Sequence, residues 1–528
     1  MQSSSTKTVV RGALILTIAG LMSKVLSAIY RIPLQNLTGD LGFYLYQQVY
    51  PFIGTVMILA LYGFPVAVSK LVAETNEERK NLTWNTFYRP LFIVLFLING
   101  TIFCILFISA PLIAQISGDV AFTSVYRTVA FLFLFVPFIS LVRGAFQGIG
   151  DMKQTAYSQI IEQMVRVTLI ILAAYFVYIG KVDVGNIGFA GVLATLTGMV
   201  VVTMYLLICF RKQFLRSPLQ PRERTVPWRY FFYICMTFGI VASLNQLILI
   251  FIQFADVLTL VPNLMSHGYS LSEAREWKGI FDRGQPLIQF GVVFGSSFAL
   301  ALTPAIAKQQ SDKSLSAKAE TIQDAVSLSF YLALGASVGL VLILEQANVL
   351  LFMNDAGTLS LQILATSIFF TSMSITGSAV LLSQGKLKQI VFAMIIMFLA
   401  KVGLNEWLVP ISSITGSALA TVISLFIFTL FVYVHLKEVR LFQTIRWYAA
   451  TIATIGMAIY LIVMKWLVYP MFDFSRIGLL CYVVFVVFSG AFIYLVSLLR
   501  FGALTERQIS NLPLSSAFLK LHDVLQRK

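Results

Sequence analysis

Seven ionisable residues lie inside long apolar stretches of this chain: Lys24, Arg31, Glu162, Arg166, Asp256, Arg283 and Lys401. A charged side chain at the centre of a bilayer costs about 2.5–3.5 kcal/mol, so such residues normally face a cavity or a partner. The set is mainly cationic, and a fixed cation in a low-dielectric setting holds a phosphate-like anion far more firmly than water allows. Lys24 and Arg31 are seven residues apart, on nearly one helical face. Arg31 stands close enough to its helix end to snorkel to the interface. Glu162 and Arg166 have the i,i+4 spacing in the favourable order, which predicts a structural ion pair. Lys401 is mid-span without a local acid and serves either a cavity or a contact across the helix bundle. Asp256 and Glu162 are the candidate sites for a coupling cation or proton.

The elements that must carry these residues are membrane spans. The chain has 58% hydrophobic and 12% charged residues and a mean hydropathy of +0.85, where a soluble domain is roughly one quarter charged. A soluble fold of this length could not hide so much apolar surface. About fourteen stretches are long enough to span a bilayer, which predicts an all-α polytopic membrane protein. Aromatic residues gather near stretch ends, as at Trp84, Tyr88, Trp228, Tyr230, Trp447 and Tyr448, where headgroups favour them.

The net charge of +15 follows the same topology. Alternate connections hold 26 of the 38 basic residues, including Lys7, Arg79, Arg143, Arg211, Lys313, Lys386, Lys437 and Arg500. The other set holds only Lys181, Arg275, Lys278, Arg283, Lys465 and Arg476. The positive-inside rule then places both termini in the cytoplasm of a multi-pass bacterial membrane protein and assigns residues 258–283 to an outside loop. Such a distribution marks topology and gives no reason to expect a nucleic-acid partner. Lys7 and Arg11 precede a first apolar run that lacks a small-residue cleavage site, so it reads as a retained helix. The four cysteines are scattered and the three histidines stand alone, so neither a disulfide framework nor a metal site is expected. No phosphate-binding loop of the G-x-x-x-x-G-K-[ST] type occurs.

Internal matches divide the chain. Gln147-Gly148 is echoed by Gln384-Gly385, Arg166-Val167 by Lys401-Val402, Pro65 by Pro304 and Lys70 by Lys308, and the stretch from Ala190 resembles that from Gly416. These ordered repeats predict a duplication with both copies in one orientation. The expected parts are an N-terminal lobe at 1–210 (helices 1–6), a basic cytosolic linker at 211–227 and a C-terminal lobe at 228–435 (helices 7–12). Two further helices follow at 436–500, and a cytosolic tail at 501–528. Two parallel six-helix lobes around a midplane cavity is an alternating-access transporter architecture.

Several motifs together make the chain resemble the MurJ/SpoVB group of lipid-linked precursor flippases, on the stage V sporulation protein B side. The group lies within the multidrug/oligosaccharidyl-lipid/polysaccharide exporter superfamily. The motifs are S-K-V-L-S-A-I-Y-R-I-P (Ser23 to Pro33), G-F-P-V-A-V-S-K-L-V-A-E (Gly63 to Glu74) and the run from Arg143 to Val167. F-D-R-G-Q-P-L-I-Q (Phe281 to Gln289), Q-G-K (Gln384 to Lys386) and the segment from Leu408 to Thr421 complete them. The resemblance implies fourteen helices, the last two forming a groove for a polyprenyl tail, and places Lys24, Arg31 and Arg283 in a cationic substrate cavity. It departs from the MurJ pattern in having no second-helix arginine between Tyr50 and Lys70 and in placing Gln154 where a proline is expected.

The expected activity is flipping of lipid II or a similar polyprenyl-pyrophosphate cell-wall or polysaccharide precursor from inner to outer leaflet, without enzymic chemistry. No cofactor is expected, transport being coupled to an ion gradient or membrane potential. The partners are the lipid-linked oligosaccharide and membrane lipids, around a monomer. Two alternatives remain: a cation-coupled multidrug exporter of the same superfamily, which would favour an acidic, aromatic cavity, and a glycan polymerase, which would need placed carboxylates such as Glu273, Glu276 and Asp282.

Overall fold

The computed structural model describes residues 2–77, 83–214, 227–308, 315–436, 445–471 and 475–510. Most of the 211–227 linker, most of the 501–528 tail, and charge-bias residues such as Arg79, Lys313 and Lys437 lie outside them. Every regular element among the described residues is helical. A membrane demands this of an open chain, because a helix satisfies its own backbone where no water can. Eleven helical stretches are long and apolar enough to cross a bilayer.

The two longest of those stretches far exceed a single crossing. Ile18–Thr75 has 58 residues, which at 1.5 Å per residue would reach about 87 Å against a ~30 Å hydrocarbon core. It breaks at Gly39, whose φ of 70° suits glycine. The side chains of Tyr30 and Tyr46 then meet through their hydroxyls, although 16 residues of straight helix would hold them about 24 Å apart. Leu387–His435 likewise breaks at Ser412 and Ser413, the latter at φ 52°.

Contacts divide the chain into two compact units. The first contains Met1–Pro262 and Ser270–Asp282. Its helices are α1 (Gln2–Ile29), α2 (Arg31–Ile58), α3 (Phe64–Glu77), α4 (Arg89–Ile116), α5 (Thr123–Ala130), α6 (Val136–Gly148), α7 (Met152–Tyr178), α8 (Ile187–Phe214), α9 (Trp228–Ile234), most of α10 (Ile240–His267), and α11 (Leu271–Asp282). Gly144 and Gly148 let α6 approach α3 closely, since a Cβ at either would strike Val68 or Val72. Small residues four apart are a usual means of helix association in membranes.

The second unit contains Asn263–Tyr269 and Arg283–Lys528. It is built from α12 (Gly284–Lys308), α13 (Leu315–Phe352), α14 (Thr358–Ala365), α15 (Ser367–Ser383), α16 (Leu387–His435), α17 (Trp447–Val463), α18 (Arg476–Arg500) and α19 (Glu506–Ser510). Small hydroxyl residues line its packed faces: Thr376 donates to Ser329, which donates to the Gly295 carbonyl at 2.8 Å. Tyr494 of α18 donates to the Tyr331 carbonyl of α13 at 2.7 Å, tying the C-terminal helices to this unit.

These units divide the chain by packing, whereas the expected 1–210 and 228–435 lobes follow the sequence repeats. The helices from Trp228 to Pro262 pack with the first unit, α9 lying against α4. Residues 258–283, expected as a loop, are almost wholly helical instead. Helix α10 continues to His267, and α11 starts at once from a reciprocal cap: the Ser270 amide donates to Glu273 at 2.8 Å and the Glu273 amide donates to Ser270 Oγ at 3.3 Å.

Candidate functional site

In the first unit, backbone bonds from Tyr30 to Leu26 and from Leu34 to Tyr30 carry the helical path from α1 into α2. The seven-residue spacing of Lys24 and Arg31 therefore keeps its geometric meaning. Lys24 Nζ donates to Gln246 Oε1 of α10 at 3.3 Å. Arg31 is fully buried, so it does not snorkel as its position near a helix end predicts; the fold-back at Gly39 covers it. Its guanidinium lies 4.0 Å from the Tyr50 ring centroid, with the Tyr30 side chain beside it as a hydrogen-bonding partner.

The predicted Glu162–Arg166 pair is not formed. Glu162 Oε2 accepts from Arg143 Nη2 of α6 at 2.8 Å, both side chains being buried. Arg143 also donates from Nε to Ser158 Oγ at 2.9 Å and from Nη1 to the Ala60 carbonyl at 3.1 Å. Ala60 belongs to a π-helical turn, Leu59–Gly63, which loosens the usual backbone ladder and leaves carbonyls available. Arg143 thus sits inside the fold, contrary to its assignment to a cytosolic connection, and its buried partners account for the difference. Arg166, 1% exposed, is held by Gln163 Oε1 and by contact with Met57 Sδ of α2.

Helix α11 brings a second charged group to the first unit. Lys278 pairs with Asp282 at 2.8 Å, both buried, and Arg275 grips Asp119 through two bonds of 2.9 and 2.8 Å. Asp119 also accepts from Tyr44. A Cβ at Gly279 would collide with the Asp40 carbonyl, so glycine permits the close seat of α11 on α2. Asp256 is buried in α10 and acts electrostatically on Asp282. The hydrogen bonds from Ser270 hold the exposed Glu273 carboxyl below the usual carboxylate range.

In the second unit, Arg283 is fully buried. Its Nη1 donates to Asn354 Oδ1 at 2.6 Å, and its guanidinium carbon lies 5.3 Å from the Phe352 ring centroid. Lys401, also fully buried, donates to Asn405 Oδ1, the Ser417 carbonyl and Ser417 Oγ at 3.0, 2.8 and 2.9 Å. Three acceptors satisfy an ammonium completely. Lys401 therefore ties the two arms of α16 across their bend, the contact reading allowed by the sequence.

A family model described as "Polysaccharide biosynthesis protein" matches residues 9–310. The chain belongs to the polysaccharide biosynthesis protein family. It is 36% identical over 415 residues to the uncharacterized membrane protein YabM of Bacillus subtilis, covering 78% of this chain and 77% of that protein. The lipid II flippase MurJ of the same organism is 25% identical over 448 residues, covering 81% and 82%. A solved structure of lipid II flippase MurJ in an inward closed conformation superposes with a TM-score of 0.63 at 13% identity, covering 92% of this chain and 98% of that chain. Family membership places the chain among multi-pass membrane transporters and not among enzymes.

Within this family fold, two of the three carboxylates that a polymerase would need have other work. Glu273 caps α11 and Asp282 neutralises Lys278, while Glu276 is exposed. Sequence reasoning missed Arg143, Asp119 and Lys278 as buried ion-pair members. For Arg143 a signal was available: it opens the most specific motif in the chain and stands just before Gly144. The Asp119–Arg275 pair joins residues 156 apart and has no local signature.

Proposed function

We propose that this protein is a flippase for a polyprenyl-pyrophosphate-linked cell-wall or polysaccharide precursor, moving the headgroup from the inner to the outer leaflet by alternating access. The observation that carries the reading is Arg31, a fully buried guanidinium that lies 4.0 Å from the Tyr50 ring centroid and makes no ion pair among the described residues. A cation kept in that setting binds an anion strongly once one arrives, and removal of a cation from a cationic substrate's path would serve the opposite chemistry. Lys24 and Arg31 bind the pyrophosphate within the first unit; Arg283, in the second, is the further cation that the resemblance assigns to the substrate. The termini are cytoplasmic in the bacterial cell membrane, and the coupling source is an ion gradient or the membrane potential, with Asp256 a candidate coupling site. The lipid II activity in the name of the MurJ relative and the family description support this substrate class.

Reconstitution tests it. Proteoliposomes loaded with fluorescent lipid II should show protein-dependent leaflet exchange, competed by unlabelled lipid-linked sugar. Absence of exchange for lipid II and for other prenyl-pyrophosphate sugars, under both an ion gradient and a membrane potential, would overturn the reading.

A further inference from the structure

Helices α13, α17 and α18 of the second unit pack on one another around a cavity that the flippase reading leaves without a task. Each helix or the turn beside it brings one polar side chain to the wall: Gln346, Lys465 and Tyr482, with Leu342, Leu461 and Val486 among the apolar neighbours. Gln346 is 4% exposed, and neither its amide nitrogen nor its amide oxygen has a hydrogen-bond partner. Such a buried amide is costly unless something bonds to it. It offers two N–H donors and one acceptor oxygen. The cavity has room for a group about the size of one water.

Charge of both signs stands beside this amide. Lys465 pairs with Glu345, the residue before Gln346, at 2.7 Å, and both side chains remain partly exposed. Tyr482 donates to the Met464 carbonyl at 2.8 Å, which holds α18 against the π-helical turn Met464–Val468 that carries Lys465. Glu345 and Gln346 precede the end of α13 by about two turns, Tyr482 follows the start of α18 by about two turns, and Lys465 comes just past the end of α17. The site therefore lies roughly 10 Å inside one shared end of the helices. At that depth hydrocarbon gives way to lipid headgroups, a boundary that suits the nearby Trp466 and Tyr469. Ile462, Leu467 and Phe485 are exposed on the same segments, an apolar surface for acyl chains.

We propose that Gln346, Lys465 and Glu345 form a binding site for the headgroup of a zwitterionic membrane phospholipid with a primary ammonium, the chemistry of phosphatidylethanolamine. The phosphodiester oxygens accept from Lys465 and from the Gln346 amide nitrogen, and the ammonium donates to Glu345. Lys465 and Glu345 cancel, so a headgroup of one net sign satisfies one of them and repels the other. A zwitterion instead replaces their mutual bond with a charge-assisted bond at each. A trimethylammonium headgroup carries the same charges but has no N–H to donate. The bound lipid braces α17 and α18 against α13. The site shares no residue with Lys24, Arg31 or Arg283 and does not depend on the flippase reading.

The test uses the purified full-length protein in detergent, with dioleoyl phosphatidylethanolamine as probe. Dioleoyl phosphatidylcholine and dioleoyl phosphatidylglycerol are the comparators, so the acyl chains stay constant, and melting temperature is followed as each lipid is added. Phosphatidylethanolamine should stabilise the parent at a half-saturating concentration at least about fivefold below that of either comparator. Without added lipid, Q346L should melt level with the parent or above it, because an unpartnered amide gives way to an apolar chain of similar size. It should also lose the lipid preference, and Q346M, a second apolar variant, should do the same. E345Q should bring phosphatidylethanolamine to the level of phosphatidylcholine. If the parent responds alike to all three lipids, or if Q346L and Q346M keep the preference, the cavity holds water only and the inference is overturned. If both apolar variants melt well below the parent, Gln346 is structural and the inference fails. The flippase reading stands in every case.

Discussion

Glu162 gives its carboxylate to Arg143, nineteen residues away at 2.8 Å, and not to Arg166, one turn along its own helix. The choice fixes two roles at once. It makes Arg143–Glu162 a structural tie between α6 and α7, and it leaves Arg166 a cation without an acid. A double-mutant cycle distinguishes the pairs. Glu162→Ala should destabilise the protein by about 3–5 kcal/mol, since Arg143 would stay buried and unpaired, and Arg143→Met in the same chain should recover part of the loss. The coupling between positions 143 and 162, measured by thermal melting in detergent, should far exceed that between 166 and 162. Equal couplings would return Arg166 to a structural pair.

Lys401 makes a different prediction from Lys24, Arg31 and Arg283. Its three acceptors are satisfied inside the second unit, so Lys401→Met should leave Asn405 and Ser417 underbonded and lower stability by about 1–3 kcal/mol. The yield of folded protein should fall, while transport per folded molecule stays near the parental rate. A well-folded variant with lost transport would make Lys401 a substrate contact.

Lys24 and Arg283 separate a lipid-anion carrier from a cation exporter. Lys24→Gln and Arg283→Gln should insert normally, because a neutral side chain is easier to bury, yet reduce lipid II exchange by at least about tenfold. Lys24→Arg should keep substantial activity if positive charge is the main requirement. Efflux of a cationic dye should be unchanged or faster in the Gln variants. Parental lipid exchange in both would show that these cations only anchor the fold.

The seat of α11 on α2 depends on glycine at 279. Gly279→Val should displace α11 and cost about 1–3 kcal/mol by overpacking against Asp40. Gly403→Ala provides the contrast: its Cβ would meet no atom within 4 Å, and a helix-interior alanine should stabilise by about 0.5–1 kcal/mol. Melting temperatures moving in opposite directions would bear this out; a neutral Gly279→Val would not.

Sidedness follows from the basic bias alone. In a background without Cys104, Cys209, Cys235 and Cys481, cysteines at Ser217 and Ser272 should label from opposite membrane faces with an impermeant reagent. Ser272 is exposed and leaves the Ser270 cap intact, whereas Ser217 lies outside the described residues. Labelling of both from outside would break the proposed topology.

Composition and the length of the apolar runs made the all-helical membrane class legible in the sequence, because a bilayer admits few ways to satisfy a backbone. The motifs made the family legible, and the excess of cations among the charges inside apolar stretches made the cationic character plain. Partner choice was not legible. At i,i+4 spacing Glu162 and Arg166 make a good isolated-helix pair, yet a neighbouring helix offered Arg143 with further bonds to Ser158 and Ala60, and that buried network prevailed. The same reason explains Lys401, whose Ser417 acceptors arrive only when α16 folds back at Ser412 and Ser413, and Arg31, covered once the chain turns at Gly39. Sequence spacing reports what a residue can reach along its own helix; which of its neighbours satisfies a buried charge is decided when helices pack and the remaining acceptors are already taken.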